Sequence, residues 1–194
     1  MNRETDTSRE SILHAARSLF ARYGLGKTTI DDIARSVRMG KGSLYYYFKS
    51  KEDLFKAVLD HEIGSLKEEI NTAIEGVATP PEKMRTYLLG RMKGIRKFVN
   101  FYNTFSDDYL KHFAFVNTIR REYDAYEINT VASILHEGVE SGLFGIKDVE
   151  LTAYTIVSAA KGLEYDWALA ADEAEIERNI NKLLEVLFYG IMKR

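Results

Sequence analysis

Apolar positions along this chain recur every three to four residues almost from end to end, a pattern that predicts an all-α protein. Ile12, Leu13, Ala16, Leu19, Phe20 and Tyr23 define a first amphipathic helix over about residues 8–23. The capping-box pair Thr7 and Glu10 opens it, and Gly24 offers a stop. Ile30, Ile33, Ala34 and Val37 give a short second helix over about 29–37. Thr28 and Thr29 are its candidate caps, and Asp31 and Asp32 put negative charge where the helix dipole favours it. Leu44 to Phe48 is apolar and aromatic; a lone strand there would have no partner, so a third short helix is predicted.

Ser50 to Asp53 opens a long helix running to about Glu75, and Pro80 suits the first position of another reaching about Asn103. A shorter helix near 106–114 follows, then long ones at about 117–140, 148–171 and 173–192, with Gly142 and Gly145 marking a turn. The total is about nine helices. The expected division is a three-helix domain over 1–50 and a larger helical domain over 51–194.

Charge divides the chain in the same way. Residues 1–56 carry 11 Lys/Arg against 7 Asp/Glu, a net of +4, whereas 57–194 carry 16 against 22, a net of −6. A basic head on an acidic body is what a polyanion-binding module joined to a second function looks like. The chain has no cysteine, which removes disulfides and thiolate chemistry and fits a reducing cytoplasm. No secretory signal and no membrane span are expected, because residues 1–11 are polar and no run of 18 apolar residues occurs.

The informative stretch runs Thr28-Thr29-Ile30-Asp31-Asp32-Ile33-Ala34, then Gly40-Lys41-Gly42-Ser43-Leu44-Tyr45-Tyr46-Tyr47-Phe48-Lys49-Ser50-Lys51-Glu52-Asp53-Leu54. Two short helices joined by a tight turn, with a third packed across them, form a helix-turn-helix unit whose second helix fits the DNA major groove. Gly42 lets the backbone approach DNA, Ser43 and Tyr46 offer hydrogen-bonding hydroxyls, and Lys41, Lys49 and Lys51 supply charge for phosphates. Thr29 and its neighbouring amides suit a phosphate oxygen. Leu44 and Phe48, four apart, are expected to face inward.

This order and spacing resembles the TetR family of bacterial regulators, whose pattern joins a Thr-rich helix start to Lys-Gly-(Ser/Thr)-Leu-Tyr-x-Tyr-Phe-x-Ser-Lys-Glu-x-Leu. The resemblance covers about residues 8–56. It implies recognition-helix contacts from Lys41, Gly42, Tyr45 and Tyr46, and phosphate contacts from Thr29, Tyr47 and Lys51. Three positions depart from the pattern. Arg38 stands where the family has a turn glycine, Met39 replaces a valine, and Gly40 replaces a Ser/Thr cap.

The second half is rich in aromatics, with 9 between Phe98 and Tyr126. Such a stripe is either core or the wall of a cavity, and the resemblance, with its ligand-sensing second half, favours a cavity. The expected ligand-binding residues are Tyr102, Tyr109, Phe113, Tyr123, Tyr126 and Trp167, for a small hydrophobic or aromatic effector. Asp108, Glu127 and Asp166 lie near enough in sequence to suit a cation instead. The last two helices are expected to form a homodimer interface through Ala160, Ile180, Leu184, Leu187, Phe188 and Ile191, as the resemblance implies.

The expected function is a ligand-responsive transcriptional repressor, binding double-stranded DNA at a palindromic operator as a homodimer in the cytoplasm. Two rivals stand against it. For an enzyme, His14, His61, His112 and His136 fall in no catalytic motif; Asp108 and His112 are spaced for a metal but read more simply as a surface pair. No catalytic residue, metal or cofactor is therefore expected. For a purely protein-binding helical adaptor, the discriminating property is salt-dependent DNA affinity, which an adaptor lacks.

Overall fold

A computed structural model describes residues 3–98, 100, 114–170 and 172–190. Eight helices occur there, and no strand: α1 (Arg3–Lys27), α2 (Ile30–Ser36), α3 (Lys41–Tyr47), α4 (Lys51–Glu75), α5 (Pro80–Lys97), α6 (Ala114–Glu140), α7 (Val149–Ala170) and α8 (Glu173–Tyr189). The short helix expected near 106–114 lies almost wholly outside the described residues. Contacts divide the chain into two compact units, Met1–Ser65 with Phe98–Phe105, and Leu66–Lys97 with Ser106–Arg194.

The first unit is organised around α1. Ile12, Ala16 and Phe20 are buried, as the helical spacing requires, and Phe20 meets Phe55 of α4 edge-on at 5.1 Å. Gly24 breaks α1 geometrically at φ 76°, after which one further turn runs to Lys27. The two threonines that follow have separate jobs. Buried Thr28 donates its hydroxyl to Gly24 O at 2.8 Å, whereas Thr29 caps α2. Across α1 and α4, Arg17 donates to the buried Glu62 at 3.0 Å. Asn100, also buried, donates to both Arg17 O and Glu62 Oε1, so a residue far along the chain completes this unit.

In the second unit α6 and α7 pack closely, with α5 against both. Its interior includes Met84, Leu88 and Met92 of α5, Val131 and Leu135 of α6, Ala153, Val157 and Ala160 of α7, and Ile176, Ile180 and Leu184 of α8. The turn after α6 folds Phe144 onto Gly138, where any added Cβ would lie 2.0 Å from the ring. Phe188 then stacks on Phe144 at 5.5 Å.

Buried charge in this unit is concentrated at one place. Arg91 of α5 and Glu127 of α6 are both fully buried and ion-paired, and Tyr87 donates to the same Glu127 Oε1 at 3.0 Å. The other carboxylate oxygen, Oε2, has no hydrogen-bond partner among the described residues.

Candidate nucleic-acid interface

Two adjacent acids in the first turn of α2 do different work. Asp32 turns back on its own helix: Thr29 N–H donates to Asp32 Oδ2 at 3.1 Å, and Asp32 N–H donates to Thr29 Oγ1 at 3.2 Å. The Thr29 hydroxyl also donates to Asp32 Oδ2 at 2.6 Å, and these bonds hold the Asp32 carboxyl below its ordinary pKa. Asp31 instead reaches across the motif to accept from Lys41 Nζ at 2.9 Å. That hydrogen bond raises the Lys41 pKa above its usual value.

The turn between the two helices is set by paired hydrogen bonds. Arg38 N–H donates to Arg35 O at 3.2 Å and Met39 N–H donates to Ala34 O at 2.9 Å, which ends α2 and reverses the chain. This geometry needs a left-handed residue, and Arg38 supplies it at φ 56°. The expectation that arginine here takes a glycine-like conformation is met. Gly40 caps α3 with φ −72° and ψ 148° and, lacking a side chain, gives no side-chain cap bond.

α3 has a strict inner and outer side. Leu44 is fully buried and Phe48, just after the helix, is 5% exposed, so both face inward as the sequence predicts. Arg9 lies over the Phe48 ring at 5.2 Å. Tyr46 is 79% exposed and Tyr45 44% exposed, which removes the alternative that the tyrosine run is core. Tyr47 is half-buried and meets Tyr46 edge-on at 5.3 Å. Lys41, Gly42 and Ser43 are exposed, and a Cβ added at Gly42 would touch nothing within 4 Å of the protein. Internal packing therefore does not demand this glycine.

The two expected backbone contacts outside α3 carry internal bonds as well. Thr29 has its N–H and hydroxyl directed at Asp32, as above. Lys51 donates one of its three protons to Leu25 O at 2.7 Å, tying the start of α4 to the last turn of α1. The Thr29 cap was legible in sequence; the Lys51 bond was not, because it depends on where α1 ends.

The remaining expected sites separate clearly. Tyr102, Tyr109, Phe113, Asp108, His112 and Ile191 lie outside the described residues, as does the side chain of Trp167. Tyr123 is buried in the second unit. Tyr126 lies 5.9 Å from it but turns to a groove between α4 and α6. There its hydroxyl donates to Asn71 Oδ1 at 2.8 Å, with Lys67 Nζ 4.8 Å from its ring centre. Burial pushes the Tyr126 phenol up from its ordinary pKa. The missed residues here are Tyr87 and Arg91, which the aromatic count passed over because only the fold brings them to Glu127. Among the described residues no group of three or more His, Asp or Glu side chains is placed to hold a metal, and no helix is long and apolar enough to cross a membrane.

The residues expected at the dimer interface differ in how far their own chain covers them. Ala160, Ile180 and Leu184 are at most 6% exposed within a single chain, so their side chains already belong to its own core. Phe188 is half-buried against Phe144. One side of α8 packs on α5 and α7. The apolar surface left outside comprises Leu151 and Tyr154 of α7, with Val186, Leu187 and Tyr189 of α8.

An exposed polar recognition helix on an inward-facing Leu44 and Phe48, behind a left-handed turn, defines a helix-turn-helix DNA-binding protein. Residues 12–58 match the family model described as bacterial regulatory proteins, tetR family. Over 189 residues the chain is 28% identical to the HTH-type transcriptional repressor KstR2 of Mycolicibacterium smegmatis, covering 94% of this chain and 90% of that one. A solved regulator of the TetR/AcrR family from Thermobifida fusca superposes with TM-score 0.71 at 25% identity, covering 95% of this chain and 98% of that one. FadR of Bacillus subtilis, solved in complex with stearoyl-CoA, shares the fold with TM-score 0.71 at 23% identity, covering 94% of this chain and 99% of that one. Residues 12–58 therefore carry the DNA-binding domain of the TetR family, and the relatives matched over most of the chain are transcriptional regulators.

Proposed function

We propose that this regulator is a repressor that binds a palindromic operator as a homodimer and leaves it when a small hydrophobic or aromatic molecule binds. The observation that carries the DNA half of this reading is the outer side of α3. Tyr46 is 79% exposed on a helix whose inner side is fully packed, so its phenol has a role outside the fold. In this reading Lys41, Gly42, Ser43, Tyr45 and Tyr46 meet base edges and thymine methyls in the major groove. Thr29, Tyr47 and Lys51 meet the flanking phosphates, Lys51 with the two protons that Leu25 O leaves over. Repression accords with the name of the M. smegmatis relative, and work on DNA accords with a place in the cytoplasm.

Two reading heads require a two-fold dimer, and the exposed apolar strip of Leu151, Tyr154, Val186, Leu187 and Tyr189 is the surface we assign to it. The effector reading is supported by Tyr123 and Tyr126, with Tyr102, Tyr109, Phe113 and Trp167 as its further expected contacts. The buried Glu127, one oxygen of which is unsatisfied among the described residues, gives such a ligand a polar anchor. The stearoyl-CoA bound by the B. subtilis structural relative makes long-chain acyl compounds the first class to try. DNA and effector then oppose each other by linkage, each favouring a different conformation of the dimer.

The test is selection from a randomised duplex pool, run with the native protein and with the Lys41→Ala, Tyr46→Ala variant. Recovery of a palindromic site by the native protein alone supports the reading. Sequence-blind binding equal in both proteins overturns it.

A further inference from the structure

The charge that opens the recognition helix is already occupied inside the protein. Lys41 is the only lysine or arginine in α3, and its ammonium lies 2.9 Å from the Asp31 carboxylate with both side chains about half exposed. Fold alone does not call for this pair. The angle between α2 and α3 is held by the two bonds of the Arg38 turn and by the buried Ile33, Ala34 and Leu44. Nor does the cap of α2 need Asp31, since Asp32 fills that role through Thr29. What Asp31 adds is an anion beside the leading cation of the DNA-facing helix.

We propose that Asp31 is a positioning residue that holds Lys41 as an internal stand-in for a DNA phosphate, limiting the sequence-blind affinity of the motif. The inference rests on the DNA-binding reading above. A lysine already paired to a carboxylate releases fewer counterions from DNA than a free one does. Binding that breaks the pair must replace one anion by another. An exposed pair of this kind is weak, so DNA can displace the carboxylate. It is nevertheless present at every encounter, including those in which Tyr45 and Tyr46 find no matching base. The carboxylate thus suppresses the part of affinity that comes from phosphate charge and leaves the base contacts to decide where the protein stays. Two other charges stand nearby on α2, Asp32 and Arg35, but these lie 4.0 Å from each other, and Asp32 is bonded to Thr29.

The experiment measures affinity for a random-sequence duplex across a salt series with four full-length proteins: native, Asp31→Asn, Lys41→Ala and the double variant. Chemical unfolding of each serves as a folding control. Asp31→Asn should bind about three- to tenfold more tightly at low salt, and its log–log salt slope should steepen by about 0.9, the value for one further phosphate contact. In the Lys41→Ala background the same substitution should leave both quantities unchanged. A purely structural ion pair would move stability and not the salt slope. Equal tightening in both backgrounds would mean that Asp31 repels phosphate directly and not through Lys41, and would overturn the proposal. Unchanged or weakened binding in Asp31→Asn would overturn it too. Native protein without salt-dependent binding to any duplex would instead remove the DNA reading itself, a separate and recognisable failure.

Discussion

Two turns in this molecule have the same hydrogen-bond plan and different residues at the critical position. After α6, Gly142 N–H donates to Val139 O and Leu143 N–H to Gly138 O, with Gly142 at φ 72°. After α2, Arg38 and Met39 repeat the two bonds to Arg35 O and Ala34 O, with Arg38 at φ 56°. A left-handed residue with a Cβ costs about 1–2 kcal/mol relative to its right-handed form, a cost glycine escapes. The α6 turn therefore carries the residue its conformation prefers. The turn of the DNA-reading motif keeps a cation at a position where conformation argues against it.

The same contrast runs through the charged pairs of the two units. Arg91 and Glu127 are sealed in the interior of the second unit, where either one without the other is a buried unpaired charge. Lys41 and Asp31 meet in water, where their pairing is worth little to stability and their charges stay available to a partner. The first unit displays side chains that the second conceals.

Five substitutions break or sharpen this comparison. The largest effect is expected for Arg91→Met, which takes the ion-pair partner from the buried Glu127 and leaves it the Tyr87 hydroxyl; it should cost about 3–5 kcal/mol by denaturant unfolding. Adding Glu127→Leu should recover much of that loss, because an apolar pair needs no partner. Next comes Gly142→Ala. Its new Cβ meets nothing within 4 Å, so the loss, about 1–2 kcal/mol, measures the left-handed conformation alone. The converse change, Arg38→Gly, should gain about 0.5–1 kcal/mol, the gain being offset in part by unfolded-state freedom of glycine. A loss of stability in that variant would show that the guanidinium is held for the fold. Smallest is Gly40→Ser, which restores a side-chain cap to α3 and should add a few tenths of a kcal/mol. The nearest atom to its Cβ, Ser43 Oγ, is 4.0 Å away, so space does not oppose it.

The helices were legible from the sequence because periodicity reports which side of a helix is buried, and Leu44 and Phe48 follow that rule without exception. The turn at Arg38 was legible because its departure from a glycine pattern has a single backbone meaning. Other features were not, for identifiable reasons. Periodicity cannot say what lies opposite an apolar face, so it does not show that Ala160, Ile180 and Leu184 are covered within a single chain. Asn100 and Glu62 meet through a separation of 38 positions, and Arg91 and Glu127 through 36, distances at which neither spacing nor composition carries information. The compact units likewise join stretches that are far apart in sequence. α4 is one uninterrupted helix from Lys51 to Glu75, and the first compact unit follows it to Ser65.

The central claim is that the outer side of α3 exists for DNA and not for the fold. Its most direct test is Tyr46→Ala in the otherwise native chain, measured twice: by chemical unfolding and by affinity for the operator recovered from the duplex pool. With Tyr46 79% exposed, the account predicts unfolding free energy within about 0.5 kcal/mol of native and operator affinity reduced at least about tenfold. Native affinity in a folded variant, or a variant that fails to fold, would contradict it.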